Sequence, residues 1–379
     1  MKCCYLKHSN RIIYLTGTRA EYGLMKPTLR ELSKKYQIDL IVTGTHLVKR
    51  YGYTINNIKM DDFSIISKIK LPRHENNLSY MANSVGYLIP KISHILKKFK
   101  PNFVLVEGDR GEQLAMAIAA AYMGIPIAHT SGGYLSGTVD DYVRNAISKL
   151  SHIHLAPTKK SAERLYKMNE EKQRIHVVGP PINLNYKKID IYKKLNLFND
   201  KELIVVLQHP VSYEKEYASK QMKETIDAIK KLKKQTVIIY PNSDTGSDFI
   251  ISEIEKIRKF KFIKIFKSLE NDIFMNLLEN ASALVGNSSA GIVEAPFFKL
   301  PVLNIGSRQK NRERGNNVID SNHNSEEIFK KINYILQNKF RQKIRKNPYY
   351  IKKPTEKNIL EVFLKLSDKN NLLVKNPVY

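Results

Sequence analysis

The chain repeatedly runs a short apolar stretch into a small or polar turn and then into a helical pattern. Arg11–Thr16 (RIIYLT) reads as a strand, closed by Gly17-Thr18-Arg19 and followed by a helix to about Leu32. Ile38–Thr43 is a second strand, ending at Gly44, and Phe103–Val106 a third, ending in Glu107-Gly108-Asp109. A helix from Gly111 to Tyr122 follows, apolar on every side through AMAIAAA, as between packed layers. Ile125–His129, His152–Ala156 and Ile175–Val178 complete this series. Strands separated by helices pair in parallel, which requires a sheet covered on both faces. Ligands of such sheets lie beyond the carboxyl ends of the strands. The turns at Gly17, Gly44, Asp109, Gly132 and Gly179 are therefore where a site is expected.

The pattern pauses at Gly179-Pro180-Pro181, and a polar, lysine-rich connector runs to about Lys201. It then restarts. Leu203–Leu207, Thr236–Tyr240, Phe262–Ile265, Ala283–Val285 and Pro301–Asn304 read as strands. Between them lie helical patterns at Lys220–Lys234, Phe249–Arg258, Asn271–Leu278 and from Ser288. The expected class is α/β, with two doubly wound, Rossmann-like domains at residues 1–180 and 181–356 and a cleft between them. A C-terminal helix in 357–379 is expected to pack back on the first domain. A chain of 379 residues is long enough for both.

Charge narrows the partners. Sixty-three Lys and Arg against 36 Asp and Glu give +27. In Lys220–Lys234, however, Met222, Ile226, Ile229 and Leu232 share one helical face and the lysines cover the rest. The lysines thus dress an ordinary amphipathic helix, and no aromatic-interleaved strand resembles a single-strand binder's platform. A small phosphorylated substrate is the expected anionic partner, not nucleic acid. No apolar run approaches the roughly 18 residues of a membrane span, and the one after Arg11 is too short for a signal peptide, so a cytoplasmic protein without membrane association is expected. Adjacent Cys3 and Cys4 make neither a disulfide framework nor a zinc ribbon. His152 and His154 share a strand face without a third ligand, so no metal site and no cofactor is expected.

Several residues lie where chemistry is expected. Gly286-Asn287-Ser288-Ser289-Ala290-Gly291-Ile292-Val293-Glu294 runs from a strand through small polar residues into a helix, which suits phosphate, with Glu294 one to two turns in; an ordinary capped helix reads the same. Arg19 follows a second strand-to-helix turn and reaches an anion or solvent equally well. Asp109 ends a strand as a catalytic carboxylate or as a helix cap. Asp140 faces the cleft beside it, or complements its own helix dipole, or pairs with Arg144; Thr138 and Asp141 fit a capping box. His209 ends the first strand of the second half.

Taken in order, GTRAEYGLMKP (17–27), VTGTHL (42–47), EGDRGEQLA (107–115), GGYLSGTVDDYVR (132–144), KLSHIHLAPT (149–158), His209-Pro210, PNSDTG (241–246), GNSSAGIVEAP (286–296) and NIGSRQ (304–309) resemble the hydrolysing UDP-N-acetylglucosamine 2-epimerases of sialic- and legionaminic-acid type. The resemblance spans Gly17 to about Ile319. It implies a two-domain fold similar to that of many glycosyltransferases (GT-B). It also implies release of UDP and N-acetylmannosamine from UDP-N-acetylglucosamine, by elimination to a glycal and then hydration, and a homo-oligomer (dimer or tetramer). Carried over residue by residue, it gives Asp109 and Asp140 acid/base roles and places His209 and Arg19 at the diphosphate. Ser288, Ser289, Gly291 and Glu294 become the nucleotide cradle, with Glu294 on the ribose. His46, Asn242, Asp244 and Arg308 also fall on family positions.

The chain departs from the family at the sugar end. Ser131 stands where the family has a glutamate before Gly132-Gly133, Asn145 where a histidine follows the arginine, and Asn311 for a glycine; Pro181–Leu184 lacks an acidic residue. A serine is no base near neutral pH without an activator. A GDP-linked diacetamido sugar (GDP-diacetylbacillosamine type) is therefore the alternative substrate. A GT-B-like glycosyltransferase and a non-catalytic nucleotide-sugar binder are the alternative functions. Glu107 or Glu112 is the substitute carboxylate to look for.

Overall fold

The computed structural model describes residues 10–72, 78–136, 139–366 and 372–376. Seven strands form the first sheet: β1 (Arg11–Thr16), β2 (Gln37–Val42), β3 (Ser64–Lys68), β4 (Phe103–Glu107), β5 (Ile127–Thr130), β6 (Ile153–Ala156) and β7 (Ile175–Val177). They lie in the order β3-β2-β1-β4-β5-β6-β7, and each pairing is parallel. Six more strands form the second: β8 (Leu203–Leu207), β9 (Gln235–Ile239), β10 (Ile263–Phe266), β11 (Ala283–Gly286), β12 (Val302–Ile305) and β13 (Val318–Ser321). Their order is β10-β9-β8-β11-β12-β13, again all parallel. The α/β architecture of two doubly wound sheets is as expected.

The central strands are legible because both faces are covered. Ile12, Ile13, Tyr14 and Leu15 of β1 are wholly buried, alternate residues entering the clusters on opposite faces. The edge strands β3 and β13 carry no strand signal in the sequence, their mixed polar sequences SIISK and VIDS reflecting pairing on one side only. The helix Leu78–Phe99 was also missed; Pro90 in its interior interrupts the pattern.

Two expectations need correction. The helix from Ser288 is α-helical only over Ala290–Val293 and continues as a 3-10 turn, Ala295–Phe298. Pro296 has no N–H to return to the preceding turn, which removes one α-helical hydrogen bond where the helix gives way to the tighter turn. Of the expected C-terminal helix at 357–379, residues 367–371 and 377–379 lie outside the described residues, and the described helix covers Thr355–Lys365. It does lie on the first sheet's layer, with Phe363 edge-on to Tyr36 and Phe103 and its carbonyl accepting from Tyr36 Oη at 3.0 Å. Among the described residues no helix is long and apolar enough to cross a membrane.

Both sheets reverse their winding at a central pair, β1/β4 in the first and β8/β11 in the second. Crevices open at such points, beyond the carboxyl ends. The turns after β1, β4, β5, β8, β9 and β11 all contribute to one cavity between the sheets.

Candidate active site

That cavity holds about 340 Å³, within the range of small-molecule sites. The first sheet supplies Arg19 and Glu21 after β1, Glu107, Asp109 and Arg110 after β4, Ser131 and Tyr134 after β5, and Asp140 and Arg144 from the helix Val139–Leu150. The second supplies His209 after β8, Asn242 and Ser243 after β9, Ser288, Ser289 and Glu294 after β11, and Arg308 and Arg312 after β12.

The carboxyl groups differ through their neighbours. Asp109 is ion-paired to the buried Arg144 guanidinium, whose Nη1 also binds Asp141 Oδ1 at 2.6 Å and the Tyr134 carbonyl at 3.1 Å. Burial works to raise the Asp109 pKa, but the charges of Arg144, Arg312 and Arg308 outweigh it and the group lies below the usual aspartate value. Asp140 has Arg308 Nη2 at 3.6 Å instead. Burial and then the Asp109 charge push Asp140 up to about 6. The pairing of Asp140 with Arg144 considered from sequence is thus not the arrangement adopted: Arg144 serves Asp109 and Asp141. Thr138 of the expected capping box lies outside the described residues, while Asp141 Oδ1 accepts from both Ser136 N and Oγ at 2.8 Å.

On the other wall, Asn287 clamps the β8 end. Its Oδ1 accepts from His209 N at 2.7 Å and its Nδ2 donates to the His209 carbonyl at 2.9 Å. The imidazole Nδ1 accepts from Asn242 N at 3.0 Å. Burial, with Arg308 and Arg110 nearby, holds His209 well below its ordinary pKa. Burial raises Glu294 to about 7. Contacts that tie the walls together include Arg110 to Asp244 (3.5 Å), Arg308 to Asp140, Arg19 Nη1 to Ser268 Oγ (2.7 Å) and Arg312 over the Tyr134 ring.

Nine of the twelve sequence-chosen residues line the cavity: Arg19, Asp109, Asp140, His209, Asn242, Ser288, Ser289, Glu294 and Arg308. His46, Asp244 and Gly291 do not. His46 is wholly buried behind the wall, with Nε2 on Thr16 Oγ1 (3.0 Å) and Nδ1 on Thr54 Oγ1 (2.7 Å). Asp244 stands one shell back, taking hydrogen bonds from Arg110 and the Asn242 amide. Gly291 faces the sheet, where an added Cβ would meet Val302 Cγ1 at 2.7 Å. Sequence reasoning passed over Glu21, Arg110, Tyr134 and Arg312. Arginines look alike in a chain this basic; only the fold distinguishes cavity cations from the rest. Among the described residues no cluster of three or more His, Cys, Asp or Glu groups fits a metal ion.

The arrangement suits one kind of chemistry. Arginines gathered around one cavity stabilise a departing anion. Carboxyls lifted toward neutrality beside them transfer protons.

Comparison with known proteins agrees. A model of the UDP-N-acetylglucosamine 2-epimerase family matches residues 30–364. A UDP-N,N'-diacetylbacillosamine 2-epimerase (hydrolyzing) of Legionella pneumophila is 42% identical over 318 residues, 82% of this chain and 84% of that protein. A UDP-N-acetylglucosamine 2-epimerase of Neisseria meningitidis is 34% identical over 329 residues, 85% of this chain and 86% of that one. The crystal structure of UDP-GlcNAc 2-epimerase from Neisseria meningitidis bound to UDP-GlcNAc superposes with a TM-score of 0.78 over 94% of this chain and all of that one, at 20% identity, which establishes the shared fold. With the two wound sheets and the cavity at their switch points in agreement, these matches make the chain a member of the UDP-N-acetylglucosamine 2-epimerase family.

Proposed function

We propose that the chain is a hydrolysing 2-epimerase that releases UDP and an epimerised free sugar from a UDP-linked 2-acetamido sugar. The observation that supports this best is Asp140, a carboxyl raised to about 6, in one cavity with arginines from both sheets. In the first step the C2–H bond breaks as a base takes the proton. Its electron pair forms the C1–C2 double bond, and the C1–O pair leaves on the diphosphate. Arg19 and the Nε2–H of neutral His209 face that leaving group. Water then adds through oxygen at C1 while an acid returns a proton to C2. Asp140, close to titrating at neutral pH, fits such an exchange. Asp109, held ionised by Arg144, fits a fixed negative charge. Ser288, Ser289 and Glu294 cradle the nucleotide, Glu294 accepting from the ribose hydroxyls.

UDP-N-acetylglucosamine, giving N-acetylmannosamine, is the first substrate to test. The 42% identical relative favours a second, UDP-N,N'-diacetylbacillosamine. A proton NMR time course in deuterated water with each sugar decides. Free UDP together with a product deuterated at C2 supports elimination and hydration. UDP binding without turnover of either sugar overturns the proposal, and stronger competition by GDP than by UDP reassigns the nucleotide.

A further inference from the structure

One half-buried acid of the cavity has no part in that scheme. Glu107 ends β4, two residues before Asp109, and lines the cavity. Its charged and titratable neighbours are Tyr14 on β1, Glu21 on the helix Arg19–Leu32, Asp109 in its own turn, Tyr134 after β5, Arg144 on the helix Val139–Leu150 and Arg312 after β12. The nearby cations contact other groups, Arg144 with Asp109 and Asp141 and Arg312 with Gln309 Oε1 at 3.2 Å and the Tyr134 ring, and act on Glu107 through charge. Among the described residues, the hydrogen bond to the Glu107 carboxyl comes from the Ser131 hydroxyl, Oγ to Oε1 at 3.0 Å. Ser131 holds that hydroxyl with φ +64°, a left-handed conformation that glycine would take without strain. Its side chain is therefore what the strained position gains, and strain of this kind gathers at functional sites.

We propose that Glu107, positioned by Ser131, exchanges a proton with C2 of the sugar, while Asp109, tied to Arg144, remains a fixed counter-charge. This rests on the epimerase reading above. As base, the Glu107 carboxylate takes the C2 proton; the C–H pair becomes the C1–C2 double bond and the C1–O pair departs with UDP. In hydration an acid protonates C2, the water oxygen bonds to C1, and the surplus water proton restores that acid. Glu107 releases its own proton to solvent as UDP leaves. Burial, and then the Asp109 charge, push Glu107 up to about 7, while the Ser131 bond and then the charges of Arg144 and Arg312 pull it back. That makes it a stronger base than the arginine-bound Asp109 while leaving it able to ionise near neutral pH.

The test compares wild type, Glu107→Gln and Ser131→Ala with UDP-N-acetylglucosamine and UDP-N,N'-diacetylbacillosamine, using UDP titration calorimetry as the control. Glu107→Gln is expected to bind UDP within about twofold of wild type and to lose about 100-fold or more in kcat. Ser131→Ala removes the bond that favours the carboxylate, so the acidic limb of its kcat profile moves to higher pH. Glu107→Gln with kcat within about threefold of wild type overturns the inference. So does a Ser131→Ala profile that does not move, which decides the matter if Glu107→Gln loses UDP binding. A wild-type protein that binds UDP but turns over neither sugar overturns the epimerase reading itself and the inference with it.

Discussion

The Nδ1 atom of His209 accepts the backbone N–H of Asn242 at 3.0 Å. An imidazole that accepts at Nδ1 carries its proton on Nε2, so the ring offers a neutral donor to the cavity. Burial first, and the charges of Arg308 and Arg110 next, keep it from becoming a cation. Imidazole nitrogen spectra are expected to show one neutral tautomer, Nε2–H, that persists at a pH where a free imidazole is already protonated. His209→Ala is expected to lower kcat about 100-fold, as for loss of one donor to developing negative charge.

Asp140 and Asp109 are expected to fail differently. Asp140→Asn removes a proton-transferring group and lowers kcat by about 100-fold or more with UDP affinity nearly intact. Asp109→Asn also loses turnover, and in addition leaves Arg144 without its cavity partner. Steady-state rates with calorimetry check both, and normal rates for either remove it from the reaction.

Arg144 is 1% exposed and anchors Asp109, Asp141 and the Tyr134 carbonyl. Arg144→Met takes from Asp109 and Asp141 their shared ion-pair partner, a loss of about 2–3 kcal/mol after the partial exposure of both carboxylates is allowed for. Urea titration reads it directly.

Glu294→Ala is expected to weaken UDP binding by about 1.5–3 kcal/mol, the worth of hydrogen bonds to a charged group. Calorimetric titration checks this, and unchanged affinity would remove Glu294 from the ribose.

Stability should fall on mild acidification. Burial lowers His46 to about 3, and likewise His129, which contacts Ser148 Oγ and the Gly108 carbonyl. A group depressed in the folded state binds more protons when unfolded. Its contribution is therefore full above the unfolded value, about 6.5, and is lost as pH falls toward 3. The urea midpoint is expected to drop between pH 7 and pH 4, and the drop to shrink in His46→Asn. A flat midpoint over that range would contradict the buried neutral state.

Much of this protein was written in local sequence. Continuous apolar runs such as RIIYLT and LIVVL can be satisfied only by central parallel strands, and the polar residues ending them mark where a ligand goes. Thus Asp109 and His209, at strand ends, stood out as candidates before any fold was known, beside the plainer reading of each as structural. Edge strands SIISK and VIDS were not legible, because one-sided pairing leaves no distinctive apolar period. The partnerships were decided by tertiary structure alone. Asp140 meets Arg308, 168 residues away in the chain by subtraction of their numbers, and not Arg144 on its own helix. Glu107 meets Ser131 because β4 and β5 lie side by side in register. Sequence specifies which groups carry charge. Their distances, burial and counter-charges, which set how each one holds its proton, exist only once two sheets close on one cavity.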